Sequence, residues 1–329
     1  MWGPVCLTED NETDCVLCAC TLSLVSYTVS YSCVVLVIFV TVLGNLLVVI
    51  SVCHFKELHT PTNLLILSLA LSDALVGGFV MPFHFVWLIE SFWYFGMTAC
   101  KLYSFFTFYI PTVSVYNVTL IAVDRYIALV DPLLYPTRVS LNSIITVIPL
   151  IWAVSFFYNI TVLYCNGILT DLCQSCSGEC ISLGEVWCII DFVVVFVFPC
   201  STIIIIYIKI FAIVKKHTSA INSQKDERVP NKKDSAKSER KAAKVLCVLV
   251  GVFLICMIPC YITSFLSKNV SSQLFNNMLN YVLSLLYLNS SINPIIYALF
   301  YPWFKKSIKM IVTLRIFSSN SSLIKLKHP

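Results

Sequence analysis

Long apolar stretches separated by short polar or charged segments dominate the chain between residues 26 and 300. A helix that crosses the hydrocarbon core of a bilayer needs about 20 predominantly apolar residues. Seven stretches meet this requirement and predict seven transmembrane helices, at residues 26–52, 63–87, 105–130, 144–163, 186–214, 244–265 and 275–300. The pattern therefore predicts an all-α membrane protein built as a seven-helix bundle.

The overall composition agrees with this pattern. Hydrophobic residues make up 58% of the 329 residues and charged residues 12%, whereas a soluble domain carries about 45–50% apolar and about 25% charged residues. Too few polar residues remain to cover the surface of a soluble globule. The composition thus argues against a nuclease, a collagen-like chain or a disordered tail.

Basic residues are distributed unevenly between the two sides of the predicted bundle. Of the 22 Lys and Arg residues, only Lys101 and Lys268 fall in loops on the side of the N-terminus. The positive-inside rule then places the N-terminus outside the plasma membrane and the C-terminus inside. We expect an extracellular Cys-rich segment (1–25), a bundle (26–300) with a cytoplasmic loop at about 215–241, and an amphipathic helix with a cytoplasmic tail (301–329). The net charge of +5 follows from this bias, so no nucleic-acid partner is needed; the expected surroundings are membrane lipid.

One group of polar residues lies in the second, third and seventh predicted spans. Asp73 has candidate companions in Ser114, Asn289 and Asn293. Polar residues inside spans are costly, so they usually face the bundle interior and serve a function. Carboxylate, hydroxyl and amide oxygens suit a small hard cation such as sodium, and a structural hydrogen-bond network between helices is the alternative.

A second group closes the third span at its cytoplasmic end, in the sequence Asp124-Arg125-Tyr126. A buried Arg needs an acidic partner or must reach water. Asp124 is adjacent to it, and Glu239 opens the sixth span at a similar depth. A breakable pair between Arg125 and Glu239 would form a switch between two helix ends, and a static ion pair at the interface is the alternative.

Asp191 is the third informative residue and lies in the fifth span, one turn beyond Trp187. The outer halves of the predicted spans contain no basic residue that would neutralise its carboxylate. An uncompensated charge is expensive to bury, so we expect a ligand ammonium group to provide the counter-charge, with aromatic rings adding cation–π contacts. The alternative is a protonated or water-facing carboxyl group near the interface.

The sequence gives no support for catalysis or for a transition-metal site. It contains no nucleophile elbow, no phosphate-binding Gly loop and no HExxH motif, and its five His residues lack metal-ligand spacing. The pairs Cys15-x-x-Cys18 and Cys173-x-x-Cys176 fit a zinc pattern, but an extracellular location favours disulfides. Asn11 begins an Asn-x-Thr glycosylation sequon on the same side.

Taken together in their order along the chain, these residues resemble a rhodopsin-like G-protein-coupled receptor. The matching positions are Gly44-Asn45, Asp73, Cys100, Asp124-Arg125-Tyr126, Trp152, Pro199, Tyr207, Phe253, Pro259 and Asn293-Pro294-Ile295-Ile296-Tyr297. Within that class the chain resembles the trace amine-associated receptors. That resemblance rests on the runs at 239–244, 289–297 and 301–304 and on the extracellular cysteines.

The resemblance carries several expectations. It implies an olfactory receptor for small amines that signals through a stimulatory heterotrimeric G protein and raises cyclic AMP, with no catalytic cofactor. It implies disulfides Cys100–Cys180 and Cys15–Cys176. The expected ligand contacts are Asp191, Thr107, Phe108, Ser104, Cys260, Tyr261 and Tyr287. The expected residues of the switch and of G-protein coupling are Asp124, Arg125, Tyr126, Glu239, Tyr207 and Tyr297.

Two departures from the family pattern change the expected mechanism. The amine-binding Asp expected seven residues after Cys100 is Thr107 here, and Asp191 takes the fifth-span position at which a divergent fish branch looks to carry its acid. The ammonium anchor is therefore expected on the fifth helix. Met257 replaces the usual sixth-span Trp, which leaves a weakly signalling receptor-like protein as one alternative. A neurotransmitter-type aminergic receptor and a transporter or channel are the others.

Overall fold

The computed structural model of the protein describes residues 24–131, 134–169, 184–223, 248, 250–266, 271–318 and 321–326. Five residues to which the sequence assigned a role lie outside these ranges: Cys15, Cys176, Cys180, the Asn11 sequon and Glu239. Predictions that rest on them stay predictions. Cys100 is disulfide-bonded, and its predicted partner Cys180 is one of these five.

Every regular element within the described ranges is helical. We label the α-helices α1 (Leu24–His54), α2 (Pro61–Leu75), α3 (Met81–Glu90), α4 (Gly96–Val130), α5 (Tyr135–Arg138), α6 (Leu141–Cys165), α7 (Glu185–Asp191), α8 (Phe198–Ser223), α9 (Val250–Leu266), α10 (Ser272–Phe300) and α11 (Pro302–Val312). Two π-helical segments, Val76–Val80 and Phe192–Val197, join α2 to α3 and α7 to α8. Short 3₁₀ turns occur at Lys56–Leu58, Arg315–Phe317 and Ser321–Leu323.

Six helices in the described part of the chain are long and apolar enough to cross a membrane. They run over Val25–His54, Pro61–Glu90, Gly96–Val130, Leu141–Cys165, Val186–Ile213 and Leu274–Phe300. The shorter apolar helix α9 occupies the predicted sixth span, whose first residues are outside the described ranges. The predicted all-α bundle is therefore confirmed. The third span begins at Gly96 instead of 105, because helical hydrogen bonding continues through the more polar stretch that includes Thr98 and Lys101.

Small residues allow the first span to approach its neighbours closely. A Cβ atom at Gly44 would lie 2.8 Å from Cβ of Pro294, and one at Gly77 would lie 2.9 Å from Cγ2 of Thr41. Such close approach is a common way for helices to associate in lipid, where apolar burial between helices supplies little driving force. A side-chain hydrogen bond adds to it, because Nδ2 of Asn45 donates to the backbone oxygen of Ser290 at 3.0 Å.

The buried side chains form two large clusters with a small one between them. One cluster surrounds Trp87, Tyr103 and Tyr287 at the end of the bundle that holds Cys100. The other surrounds Leu69 and Tyr297 at the opposite end. The small cluster between them consists of Val115, Val195, Phe253 and Met257. Two of its members, Val195 and Met257, line the cavity described below.

The chain after the seventh span returns to the first loop. In α11 the side chains of Trp303 and Phe304 are buried, whereas Lys305 and Lys309 are exposed, as an amphipathic helix on a membrane surface requires. Beyond it, the backbone N–H of Leu326 donates to the carboxylate of Glu57. The Leu326 side chain is itself buried, so this segment is packed against the bundle.

Candidate ligand-binding site

A cavity opens within the bundle between α4, the α7–π segment, α9 and α10. Its volume is about 100 Å³. By the same measure one water needs roughly 10–15 Å³, so the cavity can hold a ligand several times that size. Its walls are formed by Thr107, Phe108, Pro111, Thr112, Cys188, Asp191, Val195, Met257, Cys260, Tyr261, Ser264, Phe275, Leu279, Leu283 and Leu286. Asp191 is the only charged residue among these described wall residues.

Two tyrosine hydroxyls hold the carboxylate of Asp191. Tyr158 donates to Oδ1 at 3.2 Å and Tyr261 donates to Oδ2 at 3.1 Å. The residue is only 8% exposed, and no basic side chain of the described ranges forms an ion pair with it. Hydrogen bonds to a charged acceptor are stronger than neutral ones, yet these two donors bring no positive charge. The carboxylate is therefore fixed in place but not neutralised.

The backbone around Asp191 departs from an ordinary helix. Asp191 ends α7, and the following π-helical segment Phe192–Val197 uses wider i→i+5 hydrogen bonds. The hydroxyl of Tyr116 on α4 donates to the backbone oxygen of Val194 at 2.9 Å, a contact that ties the π segment to the neighbouring helix. Segments of this kind often occur at functional sites. Here the wider turn helps to set the direction in which Asp191 faces.

Aromatic rings surround the acidic wall. The ring of Tyr261 lies 5.2 Å from that of Phe192 and 5.1 Å from that of Phe196, measured between centroids. Phe108 and Phe275 line the same cavity from α4 and α10. Aromatic faces attract cations within about 6 Å. A cation bound at Asp191 would thus meet both a carboxylate and ring faces.

The wall opposite Asp191 carries Thr107 instead of an acid. Its Oγ1 atom lies 3.2 Å from the hydroxyl of Tyr287 on α10. Both residues are buried, but only Thr107 lines the cavity. This wall is polar and uncharged.

The structure brings most of the seven predicted ligand contacts to one place. Asp191, Thr107, Phe108, Cys260 and Tyr261 line the cavity, whereas Tyr287 lies behind Thr107. Ser104 is buried and donates its hydroxyl to the backbone oxygen of Cys100 at 2.9 Å, away from the described wall.

Sequence reasoning missed Tyr158, the second donor to Asp191. The signal available was the hydroxyl itself, because a Tyr within a span needs a hydrogen-bond partner when it is buried. Met257, where the family usually has Trp, is buried in the small cluster and lines the cavity.

The polar group around Asp73 lies deeper in the bundle. Nδ2 of Asn293 donates to Oδ2 of Asp73 at 2.7 Å, and Oδ1 is buried without a hydrogen-bond partner among the described residues. The hydroxyl of Ser114 lies 3.0 Å from that of Ser72, with which it forms a hydrogen bond. Asn289, four residues before Asn293, is also buried. A buried carboxylate oxygen with no partner fits a small hard cation that prefers oxygen ligands.

At the opposite end of the bundle, Arg125 is held by its own neighbour. Nη2 of Arg125 lies 2.6 Å from Oδ2 of Asp124, and Nη2 also contacts the hydroxyl of Thr62. The hydroxyl of Tyr135 in the loop helix α5 donates to Oδ1 of Asp124 at 2.6 Å. Burial and the hydrogen bond to Asp124 raise the pKa of Tyr135, so it remains a donor at neutral pH.

The other predicted switch residues lie at the same end. The side chains of Tyr207 and Tyr297 are buried in the core there. Nζ of Lys209 lies 5.8 Å from the ring centroid of Tyr126, within cation–π range. The predicted pair between Arg125 and Glu239 stays a prediction, because Glu239 is outside the described ranges.

Comparisons with known proteins agree with this architecture. The family model described as 7 transmembrane receptor (rhodopsin family) matches residues 44–297. Trace amine-associated receptor 13c of Danio rerio is 40% identical over 308 residues, which cover 91% of this chain and 90% of that protein. Trace amine-associated receptor 2 of Homo sapiens is 37% identical over 288 residues, covering 86% and 81%. Trace amine-associated receptor 7f of Mus musculus is 40% identical over 296 residues, covering 87% and 82%.

Proposed function

Because the chain belongs to the trace amine-associated receptors of the rhodopsin family, we propose that it is an olfactory-type receptor whose amine ligand is anchored by Asp191. Family membership makes the chain a multi-pass membrane receptor for amines that works with a G protein, and not an enzyme. The location of the anchor, the plasma-membrane orientation with the N-terminus outside, the stimulatory G protein and the sensory role belong to the proposal.

The observation that carries the anchor is the charge distribution of the cavity. Its described wall contains one carboxylate, Asp191, and no basic side chain. Thr107 stands where the family's usual acid is expected, and its hydroxyl cannot neutralise an ammonium group. A cationic ligand therefore finds its counter-charge on the fifth span. Its ammonium end points toward Asp191 and the rest of the ligand toward α4 and α10.

The binding energy of such a pair depends on burial. Charges held in a largely buried site attract each other more strongly than on the surface, although loss of hydration offsets much of the gain. The hydroxyls of Tyr158 and Tyr261 already orient the carboxylate, so less ordering is needed when the amine arrives. The aromatic rings of the wall add attraction for the cation.

Signal transfer requires a ligand that prefers one of two receptor conformations. In the structure, Arg125 is held by Asp124, and Asp124 is in turn bonded to Tyr135. We propose that agonist binding favours a conformation in which Arg125 leaves this cluster and contacts a stimulatory G protein at the cytoplasmic face. Cyclic AMP would then rise. We also propose that a sodium ion bound at Asp73 would stabilise the resting conformation.

The test is a cyclic AMP assay in cells that express the tagged receptor at a measured surface density. Each primary alkylamine is paired with the alcohol of the same carbon number, which has nearly the same size but no charge. We expect concentration-dependent responses to amines only, absent from cells without the receptor. Equal responses to an amine and its matched alcohol would contradict the proposed ligand class. Amine responses that run only through another class of G protein, without a rise in cyclic AMP, would contradict the proposed coupling.

A further inference from the structure

Thr107 is the first member of a hydrogen-bonded chain that leads away from the cavity. Its Oγ1 lies 3.2 Å from the hydroxyl of Tyr287, which lies 3.4 Å from the hydroxyl of Tyr103. The Tyr103 hydroxyl lies 3.0 Å from Nδ1 of His84. Nε2 of His84 in turn contacts Ser284 Oγ at 2.8 Å and the backbone oxygen of Asn280 at 3.2 Å. His84 is completely buried, so solvent does not reach this end of the chain.

The far end of the chain fixes the direction of its protons. The backbone oxygen of Asn280 can only accept, and it also receives the Ser284 hydroxyl proton at 2.8 Å. Nε2 of a neutral His84 must therefore be the protonated nitrogen, which leaves Nδ1 as an acceptor. Nδ1 then takes the proton of Tyr103, whose oxygen accepts from Tyr287.

The same order determines what the cavity wall offers. Since the Tyr287 proton points toward Tyr103, the Tyr287 oxygen accepts from the Thr107 hydroxyl. The proton of Thr107 is thus used, and since Thr107 lines the cavity, its free lone pairs are what this wall offers a ligand. Thr107 accordingly offers a hydrogen-bond acceptor without charge. His84 does not touch the cavity, but it sets this direction as a positioning residue.

Building on the proposed amine anchor at Asp191, we propose that the favoured ligands are amino alcohols. Their ammonium group binds Asp191 and their hydroxyl group donates to Thr107. A plain alkylamine leaves the acceptor on Thr107 without a partner. A diamine places its second ammonium against a wall that has no counter-charge among the described residues, and burying such a charge is unfavourable.

The proposal is tested with four ligands of equal chain length: pentan-1-amine, 5-aminopentan-1-ol, its methyl ether and pentane-1,5-diamine. The ether can accept a hydrogen bond but cannot donate one. One neutral hydrogen bond corresponds to a potency advantage of roughly 3- to 10-fold. We expect the amino alcohol to exceed both the alkylamine and the ether by this factor, and the diamine to be the weakest ligand.

Two substitutions separate the roles within the chain. Thr107→Val keeps the shape and removes the acceptor, so the ratio of potencies of amino alcohol to alkylamine should fall to about one. His84→Phe removes the acceptor at the far end, which lets the Tyr103 proton turn toward Tyr287 and that of Tyr287 toward Thr107. The Thr107 proton then faces the cavity, and the preference should move from the alcohol to the ether.

Thr161→Val is the matched control, because the Thr161 hydroxyl lies on an exposed face and bonds only its own helix. A purely structural role of His84 would weaken all four ligands equally and would overturn the proposed proton order. Equal potencies of alkylamine and amino alcohol in the unchanged receptor would overturn the ligand class. In both cases a response to pentan-1-amine that Asp191→Asn weakens would still support the amine anchor, so the two failures are distinguishable.

Discussion

Replacing Asp191 by Asn tests the proposed anchor with little change of shape. The amide keeps the volume of the carboxyl group and removes its charge. Each tyrosine hydroxyl can both donate and accept, so the contacts of Tyr158 and Tyr261 have partners in the variant. We therefore expect normal folding and surface density, and an effect confined to the binding of cations.

The expected loss follows from the burial of the pair. Removing one partner of a buried, hydrogen-bonded charge pair costs about 2–5 kcal/mol, much of it from the charge left alone. Asp191 is 8% exposed, so solvent screening reduces this range little. A small ligand in an open cavity keeps some water, which favours the lower part. We expect a loss of roughly 2–4 kcal/mol, or about 30- to 900-fold in potency.

The assay compares full cyclic AMP concentration–response curves at equal surface density of the tagged receptors. Glu90→Gln is the matched control: Glu90 is another partly buried acid, its carboxylate accepts from Tyr31, and it does not line the described cavity. This variant should shift potency by less than about threefold. If Asp191→Asn behaves like Glu90→Gln, the ammonium group does not bind at the fifth span and the reasoning is refuted.

Three further predictions concern other parts of the molecule. Tyr135→Phe removes the donor to Oδ1 of Asp124, and should raise ligand-independent cyclic AMP several-fold because the cluster around Arg125 is weakened by about 1.5–3 kcal/mol. Asp73→Asn removes the proposed sodium ligand, and agonist affinity in membranes should then stop depending on sodium when it is compared with potassium at equal ionic strength. Glu57→Gln replaces a charged acceptor of the Leu326 N–H by a neutral one, and should increase hydrogen exchange of that amide several-fold.

Two of these measurements have a matched control, and the third has an outcome that would contradict its reasoning. Tyr164→Phe removes an exposed hydroxyl of the same kind as Tyr135, and its basal signal should equal that of the unchanged receptor. Potassium serves as the control ion for Asp73→Asn; persistent sodium dependence in that variant would reject the proposed ion site. Unchanged exchange at Leu326 in the Glu57→Gln variant would show that the buried side chain alone holds this segment.

The sequence predicts the bundle well because a single physical requirement controls it. Lipid demands about 20 apolar residues per helix, and this demand is visible in the chain without any tertiary information. The predicted second and seventh spans therefore agree closely with Pro61–Glu90 and Leu274–Phe300. Helix ends agree less well, since α4 begins at Gly96 through helix hydrogen bonding that hydropathy does not report.

The site was predictable in its charge but not in its detailed contacts. Asp191 stands out in the sequence because a carboxylate in an apolar span needs an explanation. The tyrosine donors could not be paired with it, because that depends on which faces of three helices meet. The hydrogen-bonded chain behind Thr107 was equally hidden. His84 and Tyr103 are 19 residues apart, and only the packing of α3 against α4 brings them together.

The wider turn at Phe192–Val197 also limits how positions can be transferred between related receptors. In a regular α-helix each residue advances the side-chain direction by about 100°. A relative whose fifth helix stays regular through this stretch would present the residue at the same count from Pro199 on a different face. An alignment that matches an acid to Asp191 by counting residues therefore identifies the equivalent position in the sequence. It does not show that the two side chains point in the same direction. Searches for receptors with the same binding chemistry should compare the backbone conformation of the fifth helix before they compare residue identities.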